Sequence, residues 1–84
     1  MKITIESTTK MVDLVGGHGR IPARVWQGES AAGVPVQAYI ALIAPEIPQT
    51  DPRIDELTAE FEREFLRQAD PRPSVEAIPL RLII

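Results

Sequence analysis

The stretch RIPARVWQGESAAGVPVQAYIALIA, Arg20 to Ala44, decides the fold. Two runs rich in β-branched and aromatic residues, Arg20–Gly28 and Val34–Ala44, flank Ser30-Ala31-Ala32-Gly33. Strand formers on both sides of a short Gly-containing turn predict a β-hairpin. Ser first and Gly last suit a type I turn. Pro22 lacks an N–H, so it marks a strand edge, a strand start or a bulge.

The register of this hairpin decides what its side chains do. Arg20, Pro22, Arg24 and Trp26 alternate onto one face, and Ile21, Ala23 and Val25 onto the other. A tight loop would align the second set with Ile40 and Leu42. Arg20, Arg24, Trp26, Gln37 and Tyr39 would then form an outer face able to stack a planar ligand and pair its phosphate with an arginine. A type I turn with Gly33 in a bulge moves the register by one residue and exchanges the faces. Trp26 would then pack with Ile40 as core. Ser-Ala-Ala-Gly favours the bulged turn, and the candidate ligand-binding set is Arg20, Arg24, Trp26 and Tyr39.

Upstream, Lys2–Ser7 alternates as a strand, and Lys10–Val15 reads as a second strand segment or its continuation, Val12 and Leu14 facing opposite Met11, Asp13 and Val15. Gly16-Gly17-His18-Gly19 then breaks the chain. Glycine-rich turns can form anion nests, with Arg20 adding charge. A phosphate loop, however, runs into a helix N-terminus. This one runs into Ile21-Pro22-Ala23, with no following Lys-Ser or Lys-Thr. The segment reads as an inter-strand turn carrying a solvated His18.

Downstream, Pro45–Pro52 holds three of the eight prolines and cannot continue a central strand. Asp51 as N-cap and Pro52 at the first helical position predict a helix start. Ile54, Leu57, Phe61, Phe65 and Ala69 form its apolar stripe, which should hold the helix on a sheet. Asp70-Pro71-Arg72-Pro73 ends it. A short extended piece and a last strand, Leu80–Ile84, follow. The expected architecture is one α+β domain over residues 1–84: a small antiparallel sheet of about four strands with one amphipathic helix packed on it.

Composition narrows the function. The chain has 84 residues, no cysteine and one histidine, which excludes disulfides and thiolate metal sites and disfavours zinc. No metal ligands, cofactor or catalytic residues are assigned. A chain this short buries only roughly 60–65% of its unfolded surface, so oligomerisation, most simply a two-fold dimer, is the expected reinforcement. Residues 1–44 carry a net +1 and residues 45–84 a net −4. An acidic half argues against binding duplex nucleic acid. No apolar run reaches the roughly 18–20 residues that span a bilayer, so a cytoplasmic protein is expected. Asp55, Glu56, Glu60 and Glu64 ride one helix ridge, a candidate surface for a basic partner. They occupy no cleft that could split their pKa values for acid–base work, and no serine sits in a nucleophile elbow.

The pattern as a whole, IPARVWQGESAAGVPVQAYIALIAP (21–45), ELTAEFEREF (56–65) and VEAIPLRLII (75–84), resembles small accessory proteins of tailed phages and prophages. That resemblance implies a non-enzymatic protein that binds and inhibits a host defence protein in the host cytoplasm, or an oligomer that sequesters a nucleotide-like signalling molecule.

Overall fold

The computed structural model describes residues 1–17 and 19–83, and the solvated-histidine expectation for His18 lies outside them. Strands β1 (Ile3–Gly16), β2 (Gly19–Ser30) and β3 (Pro35–Ile40) are followed by helix α1 (Ile54–Phe65), a short helix α2 (Pro73–Glu76) and strand β4 (Arg81–Ile83). The four strands form one sheet in the order β3-β2-β1-β4. β1, β2 and β3 are antiparallel neighbours, and β4 joins β1 in parallel through Asp13↔Arg81 and Leu14↔Leu82. The expected α+β domain is present as a mixed sheet, its last strand paired within its own chain.

The hairpin adopts the bulged turn. Gly33 donates its N–H to the Ser30 carbonyl at 2.9 Å, and Ser30 donates to Val34 at 2.9 Å. Gly33 takes φ +85°, open to glycine without a Cβ penalty. Trp26 therefore pairs with Ala38 and Arg24 with Ile40, while Tyr39 pairs with Val25. Strand β3 stops at Ile40 rather than Ala44 for a related reason. Even-numbered residues of β2 point their amides toward β3, as Ser30 shows, so at Pro22 that ladder has no donor. From Ala41 the chain leaves the sheet.

β1 is continuous because a bulge absorbs the irregularity between its two segments. The pairing passes from Ser7↔Trp26 to Met11↔Arg24, leaving three residues of β1 opposite Val25. Thr8, fully buried, donates its hydroxyl to the Val25 carbonyl at 2.6 Å and accepts the Lys10 N–H at 3.2 Å. Arg24 Nη1 donates to the Thr8 carbonyl at 2.8 Å. The polar groups freed by the bulge are thus paired, as buried groups must be.

The core sits on the sheet face of Ala23 and Val25, opposite Trp26. Val12, Ala23 and Val25 are buried under Val75 of α2, with Leu14, Ile78 and Leu82 around them. Gln27, 8% exposed, fastens the approach to α2. Its Oε1 accepts the Arg72 N–H at 2.9 Å, and its Nε2 donates to the Asp70 carbonyl and to Glu6 Oε1, each at 3.2 Å. Helix α1 contributes no buried residue, so the expectation that its stripe would anchor it is not met. It also ends at Phe65 rather than Ala69. Ala69 instead donates its N–H to the Ser7 carbonyl at 2.8 Å and accepts the Thr9 N–H at 3.1 Å. Pairing with the β1 bulge outcompetes one more helical turn. At the other end the helix begins at Ile54 with Arg53 at the cap position, later than the Asp51–Pro52 start. Asp51 still serves the first turn: its Oδ1 accepts the Arg53 N–H at 2.8 Å and its carbonyl accepts that of Ile54 at 3.1 Å. The extended piece expected before the last strand is the helical turn α2, with Pro73 at its start.

Candidate functional site

The second sheet face carries Ser7, Met11, Pro22, Arg24, Trp26 and Ile40, because directly paired residues of antiparallel strands share a face. Between it and α1 lies a cleft of ≈ 350 Å³. The sheet supplies its floor, Ala41–Ile43 one rim, and Phe61, Glu64 and Phe65 of α1 the opposite wall. The two phenylalanines, four residues apart on one helix, hold their rings 6.2 Å apart at 37°. The volume falls within the lower part of the range of small-ligand sites.

The structure brings together half of the sequence-derived ligand set. Arg24 and Trp26 both border the cleft. Arg20 shares their face by alternation but lies toward the end of the β1–β2 hairpin, opposite Val15, and does not line the cleft. Tyr39 stands on the core face opposite Val25, and its hydroxyl donates to Gln37 Oε1 at 3.0 Å. The Arg24 guanidinium is half-buried and tied by Nη1 to the bulge. Among the described residues no carboxylate lies within ion-pair distance of it, although Glu64 borders the same cleft. Trp26 is half-buried, neither full core nor free platform.

The acidic ridge divides. Asp55, Glu56 and Glu60 line a shallow hollow with Leu57, Ala59 and Arg63, and Glu64 turns to the cleft. All four are exposed. A hydrogen bond from Arg63 and the charge of that guanidinium hold the Glu60 carboxyl below its ordinary range, so it stays ionised well into mild acid.

Sequence reasoning missed Met11, Phe61 and Phe65 as cleft residues. The signal was present, since the stripe of α1 has to face something, but reading it as core placed the helix too tightly. Gln27 gave no local signal at all, because its partners Asp70 and Arg72 lie 43 and 45 residues away along the chain and Glu6 lies 21 away.

Among the described residues no three His, Asp or Glu side chains are gathered to hold a metal ion, and no helix is long and apolar enough to cross a membrane. In comparisons with family models, with curated proteins and with solved structures, nothing matches the chain.

Proposed function

We propose that this chain is a small non-enzymatic binding protein of the phage accessory type. It acts in the host cytoplasm by engaging a basic surface of a host defence protein and inhibiting it. The observation that carries this reading is α1 itself: a 12-residue helix that gives no residue to the core and presents Asp55, Glu56 and Glu60 together to solvent. A helix held outside the core with its acidic side outward suits electrostatic recognition of a cationic partner, which steers encounter and fixes register. The working form is a homo-oligomer, most simply a dimer. The experiment is inhibition of a reconstituted host defence reaction by the wild type and by Glu56→Lys/Glu60→Lys. Loss of inhibition with an unchanged circular dichroism spectrum supports the reading, and undiminished inhibition by the variant removes the ridge from it.

A second reading, sequestration of a nucleotide-like molecule, is favoured by one observation. Arg24 and Trp26 border the same cleft, so a flat ring and an anion can be met side by side. A native mass spectrum of protein purified from infected cells tests it. A discrete adduct of a few hundred daltons, lost in Arg24→Ala, supports sequestration, and bare protein counts against it.

A further inference from the structure

We infer that the cleft face is the surface on which a second copy of this chain docks, forming a two-fold dimer. This rests on the oligomeric part of the preceding reading and names the surface responsible.

The chain exposes more surface than a compact monomer of its mass. A compact monomer of 9.3 kDa exposes about 5,000 Å² on the empirical size scaling, whereas this chain exposes 6438 Å². Its radius of gyration is 15.2 Å, against about 12 Å for a compact domain of 84 residues. The excess surface is about 1,400 Å² per chain. Twice that falls within the roughly 2,000–5,000 Å² that permanent homodimers bury, and well above a crystal-packing contact.

Exposed apolar side chains gather at the cleft. Leu42 is 85% exposed, Phe65 48%, Met11 41% and Ile43 39%, and all four line the one cleft. Leu66, next to Phe65, is 78% exposed. Contiguous apolar surface of this kind marks an association site. On the opposite face α2 covers Val12, Ala23 and Val25, with Val75 fully buried, while Ile21 and Tyr39 stay exposed.

Self-complementary charge favours a second copy over an unrelated partner. A two-fold interface brings the same patch against itself, so it must be self-complementary. The cleft is bordered by one basic and one acidic side chain, Arg24 and Glu64, which do not pair with each other. Across a two-fold axis Arg24 of each copy can meet Glu64 of the other, twice per interface.

The test is sedimentation velocity of the full chain from 1 to 100 µM, on the wild type and three variants. The wild type is expected to sediment as a dimer of about 18.6 kDa, twice the 9.3 kDa chain. Leu42→Glu and Phe65→Glu alter exposed side chains, so each is expected to keep its circular dichroism spectrum. Because each change occurs twice in the dimer, each is expected to raise the dissociation constant by about a hundredfold or more. Tyr39→Glu, on the other sheet face, is expected to leave the dimer intact. A wild-type monomer at 100 µM overturns both the dimer and the oligomeric part of the proposed function. A dimer insensitive to Leu42→Glu and Phe65→Glu, or dissociated by Tyr39→Glu, overturns the assignment to this face and leaves the oligomer standing. A stable trimer overturns the two-fold arrangement.

Discussion

Val75→Ala is the substitution that asks whether the core lies under α2 or under α1. Val75 is fully buried, and it comes from a helix of only four residues, so it is the principal apolar anchor that α2 has on the sheet. Truncation removes two methyl groups. At about 0.8 kcal/mol each, the transfer loss is about 1.6 kcal/mol, and the incompletely collapsed cavity raises the total to about 2–3 kcal/mol. A domain of this size has about 4–12 kcal/mol of stability in all, so the loss is a large fraction. The corresponding fall in Tm is about 10–20 °C. Phe61→Ala provides the contrast. Its ring is only half-buried against the cleft, and the expected cost is about 1–2 kcal/mol despite the larger side chain removed. Urea unfolding followed by circular dichroism, at matched protein concentrations, gives both numbers from the midpoints if the m-values agree. A Val75→Ala loss below about 0.5 kcal/mol, or below that of Phe61→Ala, would refute the placement of the core on the α2 face.

Two glycines separate steric from conformational cost. A Cβ on Gly28 would lie 1.8 Å from the Thr4 carbonyl oxygen, so Gly28→Ala is expected to cost about 3 kcal/mol or more in a thermal melt. Gly33 has open space around it but sits at φ +85°, so Gly33→Ala is expected to cost only about 1 kcal/mol in the same assay. Thr8→Val keeps the shape of a buried side chain while orphaning the Val25 carbonyl and the Lys10 N–H, an expected loss of about 1–3 kcal/mol by urea unfolding. Glu60 has a lowered folded pKa, so its contribution is present above the ordinary carboxylate value and is lost as pH falls through the lowered one. The Tm difference between wild type and Glu60→Gln should therefore stay constant from neutral pH down to the ordinary value and close below it; a difference that opens with acid would contradict that sign.

The sequence by itself determined the existence of the hairpin, the first strand and the long helix, since local chemistry dictates them, but not the helical turn α2 or the ends of α1. Ser30 and Gly33 at the two ends of a four-residue turn favoured the bulged hairpin over a tight loop, and that turn carried the register with it. Pro22 announced an interrupted ladder, and the spacing of Ile54, Leu57, Phe61 and Phe65 announced an amphipathic helix. Only the tertiary structure decided which face each element would cover. A helical stripe and a sheet face each state that they are apolar; neither states its partner. Val75, in a segment that reads as extended, won the core because Gln27, Asp70 and Arg72 fasten that segment to the face of β2 opposite Trp26. Ala69 left its helix because the carbonyl of Ser7 and the N–H of Thr9, exposed by the bulge, offered it two hydrogen bonds. The cleft follows from both events. Once α2 fills one face and the chain turns away after Phe65, α1 stands over the other face without closing on it. Alternation alone put Arg24 and Trp26 on one face, but Met11, Leu42, Phe61 and Phe65 are brought to them by contacts far apart in sequence, which no periodicity records.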